Sequence, residues 1–231
     1  MNPRIKNILA SLRQKKLDAL LVSSAQNTSY LTDSISRDSF LLVSKKANLY
    51  FTDSRYAEEA KDKLDKCFEV KKITDSVFRS IAEACRQQGI RELGFEQRNF
   101  SYSAFKSMLQ IMPRSLSLIP TQDIVEVLRQ TKSEKELRRI KKAVRITIAA
   151  FKFAEKLLKP GMRELEVAAE IERFIRYQGA HCGAFDIIVA SGPNSSYPHH
   201  ITSHRKLKVS EPVLIDMGVD YEGYKSDLTR V

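Results

Sequence analysis

The sequence predicts an α/β fold in two parts, and three observations carry that prediction. Short, branched apolar runs alternate with amphipathic stretches through the first half of the chain. A domain boundary falls near Pro120 to Ser133, where the alternation stops. The chain then runs through two long helical stretches into a strand-turn-strand pattern, so the second part is expected to be α+β. The domains are placed at 1–125 and 126–231. A chain of 231 residues accommodates two domains, and its 42% hydrophobic and 29% charged content is that of a globular protein.

Each element follows from local chemistry. Residues 3–16 form a helix with Asn2 as cap, Pro3 at the first helical position, and Ile5, Ile8, Leu9 and Leu12 on one face. Ala19 to Val22 is a buried strand, and Asn27 to Asp33 reads as a loop. Ser39 to Val43 and Leu49 to Thr52 make a hairpin around Lys45 to Asn48. Ser54 is a candidate cap for a helix running to about residue 65, and Phe68 to Ile73 alternates like a strand. Residues 76–88 are helical and Gly89 ends them. A strand at Leu93 to Phe95, a helix at Tyr102 to Ile111 and a strand at Leu116 to Ile119 complete the first domain.

In the second domain, Ser133 and Glu136 have capping-box spacing and open a long helix reaching about Leu158. Its stripe is expected at Ile140, Ala143, Val144, Ile148 and Phe151, and Pro160-Gly161 breaks it. Glu164 to Tyr177 is a second helix, ended near Gly179, and a sheet begins at Phe185.

Composition narrows the function classes. No run of about 18 apolar residues exists, so no membrane-spanning helix is expected. The acid-poor, amphipathic N-terminus lacks the apolar core of a secretory signal and reads as a first domain helix, not a presequence. Cys67, Cys85 and Cys182 are far apart and show no C-x-x-C spacing, which points to idle thiols in a reducing cytoplasm. The net charge of +11 is spread among interspersed acids. Its densest stretch, KSEKELRRIKK at 132–142, reads as an exposed helix face with no RNA-binding aromatic motif, so a nucleic-acid partner is not expected. There is no G-x-G-x-x-G loop and no G-x-S-x-G elbow.

The chemistry concentrates in the last stretch, VLIDMGVDYEGYKSDLTRV. Folded as a hairpin with Tyr221 and Glu222 at the tip, it places Asp216 directly across from Asp227, with Cβ atoms roughly 4.5–5.5 Å apart. Two such carboxylates repel unless a proton or cation lies between them, and a divalent cation is the natural resolution. The plainer alternative is two acids on a solvated face, with a bulge at Gly223 slipping the register. Upstream, PHHITSH holds His199, His200 and His204. Neighbours on an extended segment alternate faces, so His199 and His200 do not point the same way. His200 and His204 are read as polar loop residues and His181 as a helix cap.

These residues resemble the pita-bread metallopeptidases, the family of Xaa-Pro aminopeptidase, prolidase, methionine aminopeptidase and creatinase. FDIIVASGPNSSYPHH at 185–200 is similar to that family's strand and loop, and GYKSDLTR at 223–230 resembles its Xaa-Pro branch. EKELRRIKKA and KPGMRELEVAAEIE resemble its entry helices, although Arg163 stands where the family more often has a hydroxyl cap. The alternating first half with FTDSRY at 51–56 is similar to a creatinase-type N-terminal domain, which would shape the cleft or a dimer contact. The resemblance implies a creatinase-like α/β domain followed by an incomplete pita-bread domain. It implies hydrolysis of Xaa-Pro peptide bonds by two divalent ions, manganese or alternatively cobalt, zinc or iron. Asp216 and Asp227 would hold the ions, and His199 would bind a peptide with proline at its second position. A cytoplasmic homodimer without membrane contact is implied as well. The family also draws a histidine and two glutamates from later sequence, which have no counterpart after Val231, so a truncated, weakly active or inactive form is expected. Two alternatives stay open: a non-catalytic module of this fold binding a protein or RNA, and a creatinase-like amidinohydrolase.

Overall fold

The computed structural model describes residues 2–231, which divide into two compact units, the first ending at Thr131 and the second running from Lys132 to Val231. The α/β class expected from the sequence is the one found. The first unit runs α1 (Pro3–Gln14), β1 (Ala19–Val22), α2 (Ala25–Thr32), β2 (Ser39–Ser44), β3 (Asn48–Thr52), α3 (Ala57–Lys63), β4 (Phe68–Lys72), α4 (Val77–Gln88), β5 (Glu92–Glu96), α5 (Tyr102–Ile111), β6 (Ser117–Thr121) and α6 (Ile124–Gln130). Its six strands form one mixed sheet in the order β4-β3-β2-β1-β5-β6. All of β1 is buried, because helices cover both faces of the sheet. Ile81, Ala82 and Cys85 of α4 and Met108 of α5 pack on one face. Ile5, Ile8 and Leu12 of α1, Ala60 of α3 and Val125 of α6 pack on the other.

Three local expectations change here. Residues 25–32 are helical, not looped: the Ser24 hydroxyl accepts from the Asn27 backbone N–H, and Leu31 is buried. Their pattern hides the helix, because its inner face carries Asn27, Thr28 and Thr32. Ser54 does not cap α3. Asp53 instead accepts from the Arg55 backbone N–H at 2.8 Å, and the Arg55 guanidinium bonds both Asp53 and Asp38. Helix α6 lies inside the boundary segment and buries Ile124 and Val125 in the first unit.

The second unit runs α7 (Glu134–Leu157), α8 (Glu164–Tyr177), β7 (Cys182–Gly183), β8 (Ile188–Ser191), β9 (Val213–Met217), β10 (Val219–Tyr221), β11 (Tyr224–Lys225) and β12 (Leu228–Arg230). Its strands form two short sheets, β11-β10-β7 and β12-β9-β8. The capping box at Ser133 and Glu136 is present. The buried stripe of α7 is Ala143, Ile146, Thr147, Ala150 and Ala154, whereas Val144 and Ile148 are 40% and 45% exposed. Small residues let the helix lie close on the sheet, and that contact turns the larger side chains outward. The start of α8 is well fixed despite Arg163, whose backbone N–H donates to Glu166 Oε2 at 2.8 Å. Among the described residues no helix is long and apolar enough to cross a membrane.

Candidate metal and substrate site

The site is built on the last hairpin. Its tip is Glu222-Gly223, with φ of 50° and 81°, the two successive positive values of a type I′ turn. Asp220 Oδ1 accepts from the Gly223 N–H at 2.9 Å and fixes the turn. This tip lies one residue beyond the expected Tyr221-Glu222, and the register shifts with it. Tyr221 pairs with Tyr224, Leu228 with Met217, and Thr229 with Asp216. Asp216 is therefore not directly across from Asp227. Asp227 falls opposite Gly218, diagonal to Asp216, a relation that places Cα atoms roughly 7–8 Å apart.

The two carboxylates nevertheless share a face. Ile215, Met217 and Val219 point into the core with α7 and α8, so Asp216 points away from the helices. Ser226 is buried against α7, its Oγ 2.6 Å from Thr147 Oγ1, and Leu228 lies opposite Met217. Asp227, between them, points the other way, as Asp216 does. Gly218 makes the close approach possible, because a Cβ there would overlap the Ser226 carbonyl oxygen. Asp216 is half-buried, and its Oδ1 accepts from Thr229 Oγ1 at 2.6 Å. Asp227 is exposed. Two hard oxygen donors on an open face suit a divalent cation, which needs further ligands to be held tightly. Among the described residues no group of three or more His, Cys, Asp or Glu side chains is placed to hold one ion.

The histidine loop is organised by a residue the sequence reading missed. Glu164, in the first turn of α8, is wholly buried. Its carboxylate accepts from the Ser191 N–H and hydroxyl, both at 2.7 Å, and from Asn194 Nδ2 at 3.0 Å. It also accepts from the Ser203 N–H at 3.1 Å and hydroxyl at 2.6 Å, and lies 2.9 Å from His200 Nε2. Burial pushes this carboxyl up, but donation from Ser203, His200 and Ser191 outweighs it and holds its pKa at about 2. The end of β8 and the 194–203 loop are thus tied to one buried charge. His200 is accordingly no free polar loop residue: its side chain is 11% exposed against Glu164. His199, next to it, is exposed, and His204 stays exposed as expected. His181 does not cap α8, since its backbone N–H pairs with Asp220 O at 2.9 Å and its carbonyl accepts from Arg176.

Thr202 brings the loop alongside the sheet by accepting from the Val189 N–H and donating to the Ile187 carbonyl. The strand carrying Val189 pairs directly with that of Asp216. Among the described residues, the His199 ring makes no hydrogen bond to either aspartate. A spacing signal for Glu164 existed, an acid at the start of a helix, but its partners lie 27 to 39 residues away.

Comparisons with known proteins agree with this architecture. Residues 4–131 match the creatinase/prolidase N-terminal domain, and residues 138–231 match metallopeptidase family M24. The chain is 34% identical to an uncharacterized peptidase, YqhT, of Bacillus subtilis over 98% of its own length and 63% of that protein's. It is 31% identical to an Xaa-Pro dipeptidase of Pyrococcus horikoshii, covering all of this chain and 64% of the relative. An Xaa-Pro dipeptidase from Bacillus anthracis superposes with a TM-score of 0.91 at 32% identity, covering 98% of this chain and 63% of that one. An X-Pro aminopeptidase from Thermotoga maritima gives 0.89 at 30% identity, with coverages of 98% and 64%. The chain thus spans slightly less than two thirds of the length of these relatives. A creatinase-like domain followed by a partial pita-bread domain, both recognised by their own family models, places this chain in the creatinase/prolidase class of M24 metallopeptidases.

Proposed function

We propose that this chain is the front portion of a metal-dependent peptidase hydrolysing Xaa-Pro bonds. Asp216 and Asp227 would hold two divalent ions, manganese in preference to cobalt, zinc or iron, because carboxylate oxygens suit it. Bound ions supply Lewis-acid polarisation of the peptide carbonyl and lower the pKa of water. The chain's own residues position them: Thr229 orients the Asp216 carboxylate, and Gly218 brings the strand of Asp227 close. His199 would hydrogen-bond the substrate from a loop that Glu164 keeps in place. The first unit would shape the cleft or a homodimer contact, and the whole would work in the cytoplasm.

The carrying observation is that two acids share the face of the hairpin turned away from the helices. The names of the relatives, Xaa-Pro dipeptidase and X-Pro aminopeptidase, support the substrate class. Two carboxylates alone hold such ions weakly, so the 231-residue chain is expected to bind manganese with low affinity and to turn over little Xaa-Pro dipeptide. Manganese titration followed by electron paramagnetic resonance tests this. Asp216→Asn and Asp227→Asn should each abolish the uptake, and uptake unchanged in the double variant would refute the site.

A further inference from the structure

A cavity lies within the first unit, between β3, α3 and the segment after α2. It has a volume of about 260 Å³, a little below the roughly 300–1,000 Å³ of small-molecule sites and so sized for a small ligand. Tyr50 lines it and is only 4% exposed. The Tyr50 hydroxyl has no hydrogen-bond partner among the described residues, yet it is not among the sealed, orphaned polar atoms of the interior. Because Tyr50 lines the cavity, its hydroxyl is available as a donor to a molecule bound there. A buried phenol ordinarily finds a partner.

The charges around that hydroxyl are unequal. Glu59 pairs with Lys63 one helical turn on and also lies within coulombic reach of the exposed Arg37, so two cations share one acid and the rim keeps an excess of positive charge. Ile35, 56% exposed, and Leu64 supply apolar wall. A cation and a phenolic donor above an apolar floor fit one chemistry: a carboxylate carried on an apolar body.

We propose that this cavity binds a carboxylate-bearing ligand of amino-acid or dipeptide size, with Arg37 and Tyr50 holding the carboxylate and Ile35 and Leu64 the side chain. The ligand is a free amino acid or the C-terminus of a short peptide. The site is independent of the metal-binding reading, and the test is run in EDTA to keep it so. Leucine and glycyl-leucine, each with its C-terminal amide as control, are titrated into the 231-residue chain and followed by amide chemical shifts. At about 10 mM, weak binding being in the millimolar range, both carboxylates should move the amides of Ile35, Tyr50 and Leu64, and the amide controls should not. The tighter of the two identifies the source. Arg37→Ala should weaken binding about tenfold or more and Tyr50→Phe about three- to tenfold, and neither removes packing from the core. No shifts, shifts scattered away from the cavity, equal response to the amides, or unchanged affinity in both variants would each overturn the proposal.

Discussion

A buried glutamate gathers donors in each unit, Glu96 in the first and Glu164 in the second, and the two are used differently. Glu96, 8% exposed at the end of β5, accepts from the Ser23 and Ser24 backbone N–H groups, both at 2.7 Å, and from Asn27 Nδ2. It joins the start of α2 to a sheet that helices already cover on both faces. Glu164 gathers Ser191 at the end of β8 with Asn194, His200 and Ser203 of the segment that follows, positions 27 to 39 residues away from it. A carboxylate added to a packed layer reinforces what packing has fixed. The same carboxylate under a loop is what gives the loop its shape.

The largest expected effect follows from that difference. Glu164→Ala should destabilise the second unit by on the order of 3 kcal/mol or more, because a single change orphans several buried donors. Glu96→Ala should cost less, about 2 kcal/mol, because α2 and β5 remain packed. Urea unfolding followed by probes in each unit separates the two. Equal losses would show that loop and layer depend on their glutamates alike.

Acid should sharpen the contrast. The folded pKa of Glu164 is depressed to about 2 from an ordinary 4.5. Its contribution is therefore complete above pH 4.5 and is lost as pH falls from there towards 2. The loss amounts to about 3 kcal/mol. Protection factors of the amides in Ser191 to Ser203, corrected for the intrinsic exchange rate at each pH, should fall as pH drops through that window and should not change across it in Glu164→Gln. A smaller effect is expected at the hairpin, where Thr229→Val removes one hydrogen bond to Asp216 and should cost about 1 kcal/mol while weakening manganese uptake. Ser133→Ala, removing the cap of α7, should also cost about 1 kcal/mol, read as a lowered thermal midpoint.

What was legible in the sequence was local. The capping box at Ser133 and Glu136, the strand Ala19–Val22, the helix Tyr102–Ile111 and the stop at Gly89 all rest on chemistry within a few residues. The family resemblance rested on contiguous stretches of the same kind. What was hidden depends on distant partners. Helix α2 presents Asn27 to Glu96, 69 residues away, so its inner face looks polar. The exposed Val144 and Ile148 show that the closest helix contact is chosen by small side chains and not by the most apolar ones. The face shared by Asp216 and Asp227 was readable from alternation. Their pairing was not, because moving the turn by one residue moves every cross-strand partner by two.

That turn has a consequence for how this protein can vary. Exposed hairpin tips are ordinarily where a chain gains or loses residues at little cost. Glu222-Gly223 is exposed, but the segment through it also sets which way Asp227 looks. One extra residue inserted after Gly223 would rotate Asp227 beneath α7 and swing Ser226 out into water. Composition at the tip is free to drift so long as both positions tolerate positive φ, while its length is held constant from within.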